Sequence, residues 1–209
     1  MRAARVVSSL LGVAISVGAC ANLLALDDVH YVDASADGGL RGGDVLAAET
    51  SGGVEAGSRT LTLGEPDILS VDDSANGDLL LGQVAVLAER ATLVSLSFHV
   101  TVAAGTLRLG LYDATGPGGR PGTKQAETAE FVAKVDWNTV GVDAQVSLVP
   151  GAYWLVYLAS SDELHVRKSA TSGSYAGYPF PHGPLPQTFS SSPVLYGSEH
   201  WSFYATLTP

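Results

Sequence analysis

From residue 59 onward, apolar positions come in short runs that alternate with polar ones, each run bounded by Gly, Pro or Asp. The clearest run is 93–102, where Val94, Leu96, Phe98, Val100 and Val102 alternate with Ser95, Ser97, His99 and Thr101. Successive side chains of a strand point to opposite faces, so this period of two predicts a strand with one buried and one wet face. After Ala103-Ala104-Gly105, residues 106–113 repeat the pattern with Leu107, Leu109 and Leu111 on one side. Residues 116–122, Gly-Pro-Gly-Gly-Arg-Pro-Gly, predict a loop. Residues 126–135 and 139–149 predict further strands, with Pro150-Gly151 marking a turn. Residues 152–159 are apolar on both faces and too short for a typical helix, which predicts a central strand. Residues 164–168 and 200–207 complete the set, the last with Trp201, Phe203, Ala205 and Leu207 inward. No segment of 59–209 carries a sustained stripe of helical period. Many short strands with frequent turns predict an all-β fold, a single antiparallel sandwich or jelly roll.

The N-terminus is patterned differently. Met1-Arg2-Ala3-Ala4-Arg5 precedes an uncharged, mainly apolar stretch over residues 6–19, which ends in Val17-Gly18-Ala19-Cys20. Basic residues, then apolar ones, then small ones is the order of a secretory signal. An uncleaved membrane helix over 6–26 would span roughly 31 Å. Ser8, Ser9, Ser16 and Asn22 dilute that stretch, and no flanking basic residues follow it as a stop signal. With Cys20 directly after Gly18-Ala19, the segment resembles the lipobox of bacterial lipoproteins. That resemblance implies that residues 1–19 are a signal peptide, and that Cys20 receives lipid (palmitate in keeping with the class) and becomes the first mature residue. Ala21, rather than Asp, implies delivery to the outer membrane of a Gram-negative bacterium. One acyl chain would hold the protein only marginally, whereas two or more anchor it stably. Cys20 is also the only cysteine. No internal disulfide can form, so stability has to come from burial.

Residues 27–58 hold seven acidic residues and seven glycines, with one arginine, Arg41, and only Tyr31 among Phe, Trp and Tyr. Such a composition cannot bury enough surface to offset the entropy of ordering. It predicts a flexible acidic linker over 20–58, whose acidic part would span roughly 30 Å root-mean-square. What remains is 59–209, 151 residues, enough for one domain with a substantial core.

Within that domain several segments recur in the order found in a known module. They are Asp73-Ser74-Ala75-Asn76-Gly77-Asp78-Leu79-Leu80-Leu81, Leu107-Arg108-Leu109-Gly110-Leu111-Tyr112-Asp113, Trp137-Asn138-Thr139, Leu148-Val149-Pro150-Gly151-Ala152-Tyr153-Trp154-Leu155 and His200-Trp201-Ser202-Phe203-Tyr204-Ala205. Together, over about 61–207, they resemble a jelly-roll β-sandwich appended to secreted and cell-surface bacterial proteins. Its motifs are structural: a Gly-Trp start to a strand, present here as Asp136-Trp137-Asn138-Thr139, and a Pro-Gly-x-Tyr-Trp-Leu strand. The resemblance implies no catalytic residues. Its outline is similar to carbohydrate-binding sandwiches, and so implies, by fold-level analogy, a noncatalytic binding or presentation role at the cell surface.

Charge and motifs narrow the chemistry. Eight basic against fourteen acidic residues from Arg59 onward disfavour nucleic acid as a partner. The chain has no Gly-x-Ser-x-Gly elbow, no His-Glu-x-x-His and no Cys-x-x-Cys, so no enzyme is expected. Residues 116–124 lack the Gly-Lys-Ser/Thr ending of a phosphate loop, and their prolines remove donors. His99, His165, His182 and His200 are spread singly, which gives no zinc spacing. Asp72, Asn76 and Asp78 place oxygens and a Gly as a calcium loop would, yet Gln83 stands at the twelfth position and no helices flank it. A polar turn is the stronger reading there, and no cofactor is expected. Residues 169–193 carry Tyr175, Tyr178, Phe180, His182 and Phe189 among five prolines. Rings on a stiff loop can stack on a sugar, which makes Tyr175, Tyr178, Phe180 and His182 candidates for polysaccharide contact. Alternatively, they fold back and cap the core. Trp137, Trp154 and Trp201 lie in strands and read first as core. A polysaccharide lyase would need residues such as His99, Arg108, His165 and Lys168 to converge, and no spacing unites them. A purely structural surface protein would show neither an exposed platform nor such a groove.

Overall fold

The structure, a computed structural model, describes residues 59–209. The expected signal peptide over 1–19, Cys20 and the expected linker over 20–58 lie outside the described residues. The first strands are β1 (Leu61–Gly64), β2 (Val71–Asp73), β3 (Leu79–Leu87), β4 (Ala91–Val102) and β5 (Thr106–Asp113). A single 3₁₀ turn, Pro117–Gly119, leads to β6 (Lys124–Glu127), β7 (Phe131–Val132), β8 (Asp136–Leu148) and β9 (Gly151–Ala159). The chain then closes with β10 (His165–Ser169), β11 (Tyr175–Pro179), β12 (Leu195–Gly197), β13 (His200–Trp201) and β14 (Phe203–Thr208). No α-helix occurs among the described residues. Two antiparallel sheets result. In the first, β1, β14, β4 and β8 lie side by side, and β10 joins the far end of β4 and carries β13 and β2. In the second the order is β12-β11-β3-β9-β5-β6, with β7 also on β5. The fold is all-β, two layers packed as a sandwich.

Alternation decides what each face meets. In β9 the residues Tyr153, Leu155, Tyr157 and Ala159 enter the core between the sheets, with Phe98, Leu109, Trp201 and Phe203. The intervening Trp154, Val156 and Leu158 enter a second apolar cluster with Leu80, Tyr112, Leu185 and Phe189. β9 sits between β3 and β5, as its two apolar faces predict. Its outer face stays dry because the segment after β11 returns across it. Tyr112 Oη donates to Pro186 O at 2.6 Å. Lys124 N donates to Gln187 O, and Phe189 N to Gly122 O.

Three expectations change. The wet face of residues 93–102 is dry: Ser97 is 0 % exposed and His99 7 %. Ser97 shares a hydrogen bond with Thr139, and the rings of His99, Trp137 and Tyr204 stack edge to face at 5.2 and 5.0 Å above the sheet. A bulge at Val94 also shifts the phase, so that Leu93 rather than Val94 is fully buried. Trp137, expected in the core, is therefore a half-buried residue of the outer face. The strand expected over 126–135 is broken into β6 and β7, because Thr128 is drawn to Leu109 by both its backbone N–H and its hydroxyl.

β3 was not legible as a strand because Gly82 and Gln83 interrupt its apolar run. Gln83 nevertheless points inward and is 2 % exposed. Its Nε2 donates to Phe203 O at 3.1 Å and its Oε1 accepts from Trp201 N at 2.6 Å. It thus spans both sheets where Ser202 interrupts the expected strand 200–207, satisfies Trp201 N inside the core, and shares Phe203 O with Glu65 N.

Candidate functional site

β11 separates the aromatic candidates. Tyr175 and Tyr178 are three residues apart on a strand and so face opposite ways. Tyr175 pairs with Gln83 across β3 and packs edge to face on Trp201 at 5.5 Å. Tyr178 joins the outer cluster, against Phe180 at 5.9 Å and Phe189 at 4.9 Å, with interplanar angles of 78° and 89°. Burial pushes the Tyr178 phenol up, against a hydrogen bond at the Ser190 backbone that lowers it. His182 hangs beyond them, its backbone N–H on Asp78 Oδ1 at 2.8 Å and its Nδ1 3.9 Å from Glu130. These four side chains do not share one flat face. Phe189, 2 % exposed, is the keystone of the cap that the rings form.

The candidate calcium ligands are likewise sent to three different partners. Asp72 lies on the outer face of β2, 2.7 Å from His165 Nδ1 and 3.8 Å from Arg167. The hydrogen bond with His165, ahead of opposing desolvation, holds its carboxyl below the usual range. Asn76 donates to Asp73 Oδ2 at 2.8 Å, and Asp78 accepts from the His182 backbone. Among the described residues no group of three or more His, Cys, Asp or Glu side chains is placed to hold a metal ion.

The residues considered for a lyase do not meet in one groove. His99 lies under Trp137 on the outer face of the first sheet. Arg108 points outward from the second sheet to Glu130 at 3.3 Å. His165 faces Asp72, whereas Lys168, on the opposite face of β10, pairs with Asp73 and Glu199.

The structure builds a groove the pattern of residues did not announce. The loop 116–122 lies beside β11 and β12 and encloses about 320 Å³ with Arg120, Trp154, Tyr175 and Tyr196. Arg120 sits 4.6 Å from the centre of the Tyr196 ring and donates to its hydroxyl at 3.2 Å. Tyr196 remains 48 % exposed. Trp154 Nε1 donates to Gly119 O at 3.0 Å, which ties the loop to the sheet below. Asp113 ties its base, accepting from Thr115 N at 3.1 Å and Thr123 N at 2.9 Å. Burial raises the Asp113 carboxyl, but the hydrogen bonds from Thr115 and Thr123 outweigh it and leave the group below its ordinary value. Of the aromatic candidates, only Tyr175 lines this groove. Its partners Arg120 and Tyr196 come from segments 76 residues apart, a pairing invisible to local spacing. A larger groove, about 400 Å³, exposes part of Trp137 beside Val132 and Lys134. Its one amide, Asn138, is already spent on Lys134 N, Lys134 O and Asp136 O.

Compared with known proteins, the chain matches no family model, no curated protein and no solved structure.

Proposed function

We propose that this chain is a bacterial envelope lipoprotein, anchored through lipid on Cys20, whose sandwich is a noncatalytic jelly-roll module that binds a surface glycan. The groove at Tyr196 carries the reading. It combines an exposed ring, a guanidinium that pre-organises it, and a glycine-rich rim, and binding sites join apolar walls to a few placed polar groups in this way. Aromatic faces take up the apolar side of a sugar ring, while Arg120 and nearby hydroxyls offer hydrogen bonds to its edge. The jelly-roll reading is supported by β3, β4, β5, β8 and β9, which alternate between the two sheets as the chain proceeds. The lipid anchor is supported by the position of the only cysteine directly after Gly18-Ala19.

The test is retention of the protein on immobilised polysaccharides. With one or two stacked rings, binding is expected in the roughly millimolar to tens-of-micromolar range. Tyr196→Ala and Arg120→Ala should each weaken it several-fold at unchanged melting temperature. A purely structural surface role is the alternative, favoured by the burial of Phe189 and Tyr178 in the cap. It requires that no polysaccharide be retained, or that both variants bind as the parent does. For the anchor, metabolic labelling with a fatty acid should mark the parent, and Cys20→Ser should be unlabelled and uncleaved. Labelling that persists in the variant refutes the anchor without touching the groove.

A further inference from the structure

From Arg59 onward carboxylates outnumber cations, and the domain uses them to neutralise the cations it partly buries. The partly buried Lys and Arg residues are Arg108, Arg120, Lys124, Arg167 and Lys168. Arg108 pairs with Glu130 at 3.3 Å, Lys124 with Glu127 at 2.8 Å and Arg167 with Asp72 at 3.8 Å. Lys168 holds both Asp73, at 3.0 Å, and Glu199, at 3.2 Å. Among the described residues, Arg120 alone of this group has no carboxylate partner. Its contacts are the ring and the hydroxyl of Tyr196.

A cation that has given up part of its hydration is stabilised by an anion in contact with it. The face of Tyr196 offsets some of the lost hydration, since an aromatic face attracts a cation. It supplies no net charge. The hydroxyl engages Nη1 only, and among the described residues the Nε and Nη2 edge of the guanidinium meets no acceptor. Such an edge is a fork that fits the two oxygens of a carboxylate. The guanidinium is held at the groove of about 320 Å³, with Trp154, Ser174 and Tyr175. Gly118 and Gly119, at φ of +69° and +78°, form the rim beside it, and a Cβ at either would meet nothing within 4 Å. The rim is therefore open next to Arg120.

We infer that the groove selects acidic glycans, its occupant being a sugar that carries a carboxylate, a uronic acid. The sugar lies against the exposed part of Tyr196, and its carboxylate takes the open edge of Arg120. This rests on the reading of the groove as a glycan site and adds the charge of the glycan to it. The surplus of carboxylates in the domain repels a polyanion, so its capture has to come from a local cation. Lys134, an exposed cation without a carboxylate partner, lines the separate groove at Trp137 and is the competing source of such attraction.

The probes are oligogalacturonate and oligomeric alginate, each beside its methyl ester, which removes the charge and keeps the sugar. A neutral dextran oligosaccharide completes the set, and all are titrated calorimetrically into the full chain. One acid should bind at least about ten-fold tighter than its ester, with the gap narrowing as salt is raised. Arg120→Gln should bring the acid down to the affinity of the ester. Tyr196→Ala should weaken acid and ester alike, and Lys134→Gln should change neither. Equal affinity for acid and ester, or binding of dextran alone, overturns the selection for charge and leaves the glycan site standing. Loss of the preference in Lys134→Gln rather than in Arg120→Gln also overturns it. Failure of every probe to bind in the millimolar range overturns both. The comparison of acid with ester on the parent chain holds even if a variant fails to fold.

Discussion

Asp136 stands where the resembling strand motif has glycine, and its backbone shows why glycine suits that position. Its φ is +89°, in the left-handed region that costs a non-glycine residue about 1–3 kcal/mol. The side chain recovers part of this by accepting from Trp137 N at 2.8 Å. Asp136→Gly should therefore raise stability by about 1 kcal/mol, and Asp136→Val should lower it by more, both read from urea midpoints. Gln83 makes the opposite case. In the sequence it is only a polar interruption, yet it satisfies the backbone on both sides of Ser202. Gln83→Leu strands Trp201 N in the core, whereas Phe203 O keeps its hydrogen bond from Glu65 N at 2.9 Å, and it should cost about 1–3 kcal/mol for the one unsatisfied group. A loss below about 1 kcal/mol would mean that water reaches the break.

At the scale of elements, the segment after β11 decides the character of the second sheet. Trp154, Val156 and Leu158 would be an exposed apolar stripe without Leu185 and Phe189 over them. Phe189→Ala should accordingly cost about 3–5 kcal/mol, as large-to-small changes in a core do. Tyr196→Ala, at a half-exposed site on the next strand, should stay within about 0.5 kcal/mol. Similar losses from both would remove the distinction between cap and groove on which the proposed function rests. The composition of 169–193 made its aromatics conspicuous. It could not separate Tyr175 from Tyr178, because β11 is only five residues long and opposite faces follow from its pairing with β3.

For the whole molecule, acid sensitivity follows from groups held away from their ordinary protonation. Burial, ahead of the opposing pull of Asp136, holds His99 below the ordinary 6.5. The unfolded chain therefore takes up this proton first. The stability tied to neutral His99 is complete above pH 6.5 and is lost as pH falls through that value toward the lower folded one. Asp113, held below 3.8, contributes stability that is complete above that value and lost as pH falls through the folded one. Denaturation midpoints followed from pH 8 to pH 3 should fall in two stages, and His99→Gln should abolish the upper stage alone. A single stage below pH 4 in the parent would place His99 in contact with water.

Period-two alternation was enough to identify most of the long strands, the all-β class and the centrality of β9, because each is a property of neighbours along the chain. The N-terminal order of charge, apolar run, small residues and Cys20 is equally local, and it carries the expectation of lipidation. The groove and the ion pairs are of another kind. Arg120 meets Tyr196, and Lys168 meets Asp73 and Glu199, across separations of 76, 95 and 31 residues. Only the pairing of strands brings such groups within hydrogen-bond range. The same holds for the face of β4 that alternation assigned to water. Polar residues mark a face as able to be wet, but whether it is depends on what the rest of the chain lays over it, here Trp137 and Tyr204.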